Sequence, residues 1–148
     1  MQTEPIYILL ADDDEDDRVF FTDAIRDLKM NTVVQTVKDG KELMDHLSHE
    51  DVLIPNVIFL DLNMPCKTGL DCLKEIKNMN HLKDIAIAIY STSSSESDIE
   101  DTFVKGANVY IKKPSDFGTL KKVLAEVITI NWQYQTSGLN RDNFLLSL

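Results

Sequence analysis

The stretch ILLADDDEDD, residues 8–17, places an aliphatic run directly before six consecutive acidic side chains, Asp12 to Asp17. The aliphatic part belongs to the segment Ile6–Ala11, which is almost continuously apolar and predicts a buried β-strand. At ~5 Å and an effective dielectric constant of about 20, each pair of neighbouring carboxylates repels by roughly 3 kcal/mol. The acidic run is therefore either a solvated face or partly neutralised by a positive group.

Length, charge and cysteine content limit the classes of protein. A chain of 148 residues is long enough for one domain with a real core. The net charge of −10 argues against binding to nucleic acid or to an anionic membrane surface. No apolar stretch approaches the ~20 residues of a membrane span, and the N-terminus does not resemble a secretory leader. Cys66 and Cys72 have no metal-like spacing and are at best a weak signal for a disulfide, so we expect a reduced, cytoplasmic protein.

Short apolar runs alternate along the chain with stretches of helical period. The runs predict strands at Ile6–Ala11, Thr32–Val37, Val57–Leu60, Ile85–Ile89 and Val109–Ile111. Amphipathic helices are predicted after each strand, the last over Phe117–Ile130, and Ser95 to Asp98 is a candidate capping box for the fourth helix. Five strand-then-helix units imply an α/β fold, in which a parallel sheet carries helices on both faces.

Polar side chains stand where these predicted strands end. Asp12 and Asp13 follow the first strand, Asp61 the third and Ser91 the fourth, while Lys113 follows the fifth. Parallel sheets bind ligands outside the carboxyl ends of their strands. Three carboxylates suit a hard cation such as Mg²⁺, and the hydroxyl and ammonium groups can hold phosphoryl oxygens.

The acidic run is expected to divide in two. Asp12 and Asp13 point toward the site, whereas the other four acids open the first helix. There Asp14 can cap exposed N–H groups, and Glu15, Asp16 and Asp17 meet the positive end of the helix dipole. We interpret these last three as a solvated face.

Four segments in this order resemble the receiver domain of two-component response regulators: ILLADDD (8–14), IFLDLNMP (58–65), YSTSS (90–94) and YIKKP (110–114). The resemblance covers roughly residues 5–130. It implies a flavodoxin-like, five-stranded parallel sheet in the order 2-1-3-4-5. It also implies a receiver domain over residues 1–130 and a C-terminal tail over 131–148, with no output domain.

The resemblance implies a site that accepts a phosphoryl group. Asp61 would take this group from a phosphohistidine of a sensor histidine kinase or phosphotransfer protein. Asp12, Asp13, Asp61 and the backbone carbonyl of Asn63 would hold Mg²⁺, for which Mn²⁺ can substitute. A module of this kind is a phosphoacceptor in signalling, and it catalyses only its own phosphorylation and dephosphorylation.

Switch residues are implied in the same way. Ser91 would hydrogen-bond the phosphoryl oxygen, Lys113 would pair with Asp61 and then with the phosphoryl group, and the ring of Tyr110 would move inward. The Lys113–Pro114 peptide bond would be cis. Many receivers carry an acid or amide at the position of Ser93, which is expected to influence how fast water removes the phosphoryl group. The serine therefore does not allow the rate of dephosphorylation to be predicted.

Plainer interpretations exist for several of these residues. Ser91 could be a turn residue, Lys112 could replace Lys113, and Tyr110 could be a half-buried strand aromatic without a switching role. We expect the three histidines, His46, His49 and His81, to be surface residues.

Three other functions fit parts of the sequence. A phosphohydrolase with an aspartyl nucleophile would use Asp61-Leu62-Asn63, but Asn63 stands where a second aspartate would act as the acid. A flavodoxin-like cofactor site would use Ser91 to Ser95, although flavodoxins place that loop after the first strand. A receiver that switches without phosphate is the third possibility.

The partners expected from the resemblance are proteins. They are the phosphodonor and a downstream protein target that the sequence does not identify; a homodimer is also possible. Residues 131–148 hold apolar side chains that either pack back on the domain or contact a partner: Trp132, Tyr134, Leu139, Phe144, Leu145, Leu146 and Leu148.

Overall fold

The computed structural model describes residues 5–49, 53–129 and 145–146, and these residues form a parallel sheet between two layers of helices. Strands and helices alternate along the chain. The strands are β1 (Ile6–Ala11), β2 (Thr32–Val37), β3 (Val57–Leu60), β4 (Ala86–Ser91), β5 (Val109–Lys112) and β6 (Leu145–Leu146). The helices are α1 (Glu15–Asp27), α2 (Gly40–Ser48), α3 (Gly69–Asn78), α4 (Glu96–Val104) and α5 (Phe117–Thr129).

The strand order is β2-β1-β3-β4-β5-β6. The predicted order of the first five strands is therefore confirmed. The prediction of five strands was incomplete, because Leu145–Leu146 adds a short sixth strand that runs parallel to β5. For these two residues, the tail packs back on the domain.

Each face of the sheet buries its own apolar core. Alternate residues of a strand point to opposite faces, so Ile8 and Leu10 pack toward α1 and α5, whereas Leu9 and Ala11 pack toward α2 and α3. The four residues of β3 are all buried. Burial on both faces explains why the central strands read as continuous aliphatic runs.

Side-chain caps fix where α1 to α4 begin, and at α2 the cap is Asp39, which accepts a hydrogen bond from the Glu42 amide. Asp14 accepts a hydrogen bond from the Asp17 amide, which confirms the predicted cap of α1. Thr68 caps α3 and Ser95 caps α4 in the same manner. The predicted capping box is only half formed, because the Asp98 carboxylate accepts a hydrogen bond from the Ser93 hydroxyl at 2.6 Å instead of returning to the Ser95 amide.

Some boundaries and exposures differ from those predicted. Strand β4 starts one residue later and extends to Ser91, because it continues pairing with β5 through Ser91 and Lys112. Ile130, the predicted last residue of α5, lies outside the described residues. His49 and His81 are exposed as expected, but His46 is half-buried and its Nε2 lies 3.0 Å from the Tyr7 hydroxyl.

Within the described parts of the chain, no helix has the length and apolar character needed to cross a membrane.

Candidate functional site

Three aspartates meet at the carboxyl ends of β1 and β3. Parallel pairing sets the two strand ends side by side, and the Asp61 amide donates a hydrogen bond to the Ala11 carbonyl at 3.0 Å. One carboxylate oxygen each of Asp12, Asp13 and Asp61 lies within 4.8 Å of the other two. The structure thus brings together the three carboxylates that the sequence predicts for a metal site.

The three carboxylates differ in burial. Asp12 is 0% exposed and Asp61 6%, whereas Asp13 is exposed. Burial raises the pKa of Asp12 despite the opposing effect of Lys113. Burial also raises the pKa of Asp61 to about 6; Lys113 opposes this shift and the charge of Asp12 adds to it. Burial therefore disfavours the ionised form of both carboxyl groups, and positive charge nearby favours it.

Lys113 supplies part of that positive charge. Its Nζ lies 2.7 Å from Asp12 Oδ2, 2.9 Å from Asp17 Oδ2 and 3.4 Å from Asp61 Oδ2. Burial alone would lower the pKa of Lys113, but the neighbouring carboxylates of Asp12, Asp17 and Asp61 together outweigh it and raise that pKa. The ammonium also lies 5.3 Å from the centroid of the Tyr90 ring, within range of a cation–π contact.

The neighbours of Lys113 settle two further expectations. Lys112 is exposed, so Lys113 is the lysine that reaches the carboxylates. The predicted cis bond between Lys113 and Pro114 is wrong for this structure, because no described peptide bond is cis. The trans isomer is the default even before proline, where it is favoured by roughly 0.5–1 kcal/mol.

Ser91 and Tyr110 are linked through the loop that follows β4. Ser91 is fully buried, and its hydroxyl accepts a hydrogen bond from the Ser93 amide at 3.1 Å. The Tyr110 hydroxyl donates to the Ser93 carbonyl at 2.9 Å. Burial raises the pKa of Tyr110, while hydrogen bonds with Ser93 and Ser91 lower it. Tyr110 is 0% exposed, so its ring is fully rather than half buried, and its switching role stays a prediction.

A close approach holds the loop after β3 in place. The Gly69 amide donates to the Leu62 carbonyl, and a Cβ at position 69 would lie 2.1 Å from the Asp61 carbonyl oxygen. Only glycine permits this contact. Asn63 is exposed, and its amide lies 3.5 Å from Asp61 Oδ1. The role of its carbonyl in the metal site stays a prediction.

Two contacts of Lys113 were missed by sequence reasoning. The sequence predicts a solvated face for Asp17, yet its Oδ2 accepts a hydrogen bond from Lys113. Tyr90 was noted only as part of a motif.

The donor set at the strand ends suits a divalent cation. Asp12 Oδ2 is buried and has no hydrogen bond of acceptable geometry, although Lys113 forms an ion pair with it. The available ligands are carboxylate oxygens, which hard cations prefer. The aspartate triad is therefore able to bind a divalent ion, whose charge would offset the repulsion among its carboxylates.

Comparisons with known proteins converge on one family model. Residues 8–125 match the model of the response regulator receiver domain. The chain is 30% identical over 124 residues to the response regulator Rcp1 of Synechocystis sp. The matched segment covers 81% of this chain and 84% of that protein. The chain is 29% identical over 127 residues to the probable methanogenesis regulatory protein FilR2 of Methanothrix harundinacea, with coverage of 84% and 82%.

Two solved structures are similar along most of their length. The Mn²⁺-bound form of Rcp1 matches with a TM-score of 0.80 and 27% identity, over 86% of this chain and 98% of that one. The phosphorylated cyanobacterial phytochrome response regulator RcpA matches with a TM-score of 0.77 and 29% identity, over 92% and 97%.

Proposed function

Because the chain belongs to the response regulator receiver family, we propose that Asp61 is the residue on which it accepts a phosphoryl group. Receiver domains are phosphoacceptor signalling modules, and the family implies a histidine kinase as partner. The observation that carries the assignment is the buried Asp61 carboxylate, which lies beside two further aspartates and 3.4 Å from the Lys113 ammonium. Asp12 is also buried, close to Lys113 and beside two aspartates, so the choice of Asp61 as acceptor rests in addition on its place in the motif IFLDLNMP.

The chemistry is a transfer of the phosphoryl group to a carboxylate. An ionised oxygen of Asp61 forms a bond to phosphorus while the bond to the imidazole nitrogen of the donor breaks, and the electron pair of that bond stays on the nitrogen. Lys113 neutralises charge on the transferred group. Asp12, Asp13 and Asp61 would hold Mg²⁺, which when bound supplies further neutralisation and orients the phosphoryl oxygens. The product is an acyl phosphate on Asp61.

The hydrogen bonds of the β4–α4 loop support a route from this site to the surface. The Ser91 hydroxyl would donate to a phosphoryl oxygen. Its movement toward that oxygen would displace the loop between β4 and α4, because the Ser93 amide donates to the same hydroxyl. The Tyr110 hydroxyl is bonded to the Ser93 carbonyl, so it would follow. A change at these residues re-biases the surface formed by α4, β5 and α5, on which a protein target would bind.

The organisation of the chain is part of the same proposal. Residues 1–130 would form the receiver and residues 131–148 a tail, and signalling would proceed through a change in protein binding. The phosphodonor would be a sensor histidine kinase or a phosphotransfer protein. The cytoplasmic location and the possible homodimer stay predictions.

Incubation with acetyl phosphate and Mg²⁺ tests the proposed function directly. We expect intact-mass spectrometry to show one added phosphoryl group on the full chain, because Asp61 is positioned beside a cation and needs only a reactive donor. The matched control contains EDTA, which removes the neutralising cation and is expected to suppress the mass shift. An unchanged mass with several small phosphodonors and Mg²⁺ would contradict the proposal.

The division of the acidic run is tested by a pair of substitutions. Asp13→Ala removes one of three converging carboxylates and is expected to weaken Mg²⁺ binding by at least about tenfold, since even the partners of metal ligands commonly matter that much. Glu15→Ala is the control, because Glu15 is an exposed acid of the first turn of α1. Isothermal titration calorimetry would report both affinities. Equal losses in the two variants would show that no specific site exists at Asp13.

A further inference from the structure

Asp17 contacts Lys113 from outside the aspartate triad. It lies in the first turn of α1, and its Oδ2 accepts a hydrogen bond from Lys113 Nζ at 2.9 Å. The other two acids of that turn, Glu15 and Asp16, form no ion pair among the described residues. Asp17 is thus distinguished from its neighbours by a specific contact rather than by charge alone.

The ammonium of Lys113 occupies a position that conflicts with a divalent cation. Its Nζ lies 2.7 Å from Asp12 Oδ2, on one of the three carboxylates that would hold the metal. Two positive groups on the same carboxylate oxygen repel each other strongly in a buried site. A cation held by Asp12 therefore favours movement of the ammonium away from this carboxylate.

The places to which Lys113 can move are limited. Its side chain is 9% exposed, and its ammonium lies near the Tyr90 ring. Of its three carboxylate partners, Asp12 and Asp61 both belong to the metal triad. Asp17 is the one partner of the three that a cation at the triad leaves available.

We propose that Asp17 is a positioning residue that retains the Lys113 ammonium when a divalent cation occupies the triad. By accepting the displaced ammonium, Asp17 makes cation binding more favourable and keeps Lys113 within reach of an incoming phosphoryl group. This inference rests on the proposed metal site of Asp12, Asp13 and Asp61. It adds a fourth carboxylate, which acts through Lys113 rather than by touching the metal.

Titration of the full-length protein with Mg²⁺ by isothermal calorimetry tests the inference. We expect Asp17→Asn to weaken Mg²⁺ binding by about three- to fivefold, the scale of a partly exposed ion pair. Asp16→Asn removes the same charge from the neighbouring exposed position, and we expect a change of less than about twofold because solvent screens it. Circular dichroism would verify that both variants are folded.

A Lys113→Met background separates an effect through Lys113 from a general loss of negative charge. If Asp17 acts by holding the ammonium, Asp17→Asn has no larger effect than Asp16→Asn once Lys113 is absent. The inference is overturned if Asp17→Asn and Asp16→Asn weaken binding equally, or if the effect of Asp17→Asn persists without Lys113. If Lys113→Met fails to fold, the comparison of Asp17→Asn with Asp16→Asn in the otherwise wild-type protein decides the test.

The wild-type titration distinguishes the two levels of the proposal. Absence of Mg²⁺ binding by wild type would overturn the proposed metal site and, with it, the role of Asp17. Binding by wild type together with equal effects of the two asparagine variants would overturn the role of Asp17 alone.

Discussion

Replacing Asp61 with asparagine is expected to abolish the incorporation of a phosphoryl group from acetyl phosphate. The amide has nearly the same size as the carboxylate but lacks the ionised oxygen that attacks phosphorus. Asp12 and Asp13 lie close by, but we expect them to hold the cation rather than to attack phosphorus. The measurement is intact mass after incubation with donor and Mg²⁺.

Asp16→Asn is the matched control for this loss. It makes the same chemical change at an exposed position of α1, and it should be phosphorylated as fully as wild type. Phosphorylation of Asp61→Asn to the wild-type extent would mean that another residue is the acceptor, and peptide mapping would then identify it.

Asp61→Asn is also expected to stabilise the metal-free protein at neutral and alkaline pH. Burial raises the pKa of Asp61 from 3.8 to about 6, so the folded state holds its proton more tightly than the unfolded state does. The contribution of this group to stability is present below the unfolded pKa and is lost as pH rises through the folded pKa. Asparagine cannot ionise, so the variant does not lose stability in this way as the pH rises.

The raised pKa of Asp61 sets the size and the pH range of the stabilisation expected for Asp61→Asn. Above about pH 7, Asp61→Asn should exceed wild type by roughly 1–3 kcal/mol in the free energy of unfolding, and the difference should shrink below about pH 4. Urea unfolding in EDTA at several pH values measures it. Added Mg²⁺ should raise the stability of wild type more than that of the variant, because a ligand stabilises the state that binds it. Parallel pH profiles of the two proteins would contradict the assignment.

The sequence predicts the site where local signals determine geometry. Parallel strands end at a common edge of the sheet, so a buried aliphatic run followed by an acid was enough to place Asp12 and Asp61 together. The same signal predicts Lys113, whose ammonium reaches Asp12 and Asp61, whereas the role of Ser91 stays a prediction. The five-strand order came from the resemblance to a family, since periodicity alone does not determine which strands are neighbours.

The missed features depend on relations between distant elements. Glu15, Asp16 and Asp17 look alike in sequence, and only the rotation of α1 relative to β5 decides which of them reaches Lys113. His46 contacts Tyr7 because α2 packs beside β1 and β2, a relation that its own neighbours do not reveal. A strand of two residues such as β6 is too short to produce a periodic pattern.

The short strand β6 also affects how another protein could bind at the edge of β5. Leu145 and Leu146 already pair with Tyr110 and Ile111, so a partner that adds an extended segment there must displace the protein's own tail. The tail is tethered to the same chain and therefore competes at an effective concentration that does not change when the protein is diluted. Affinity at this edge then depends on the balance between an internal competitor and an external ligand, and truncation of the tail would shift that balance toward the ligand.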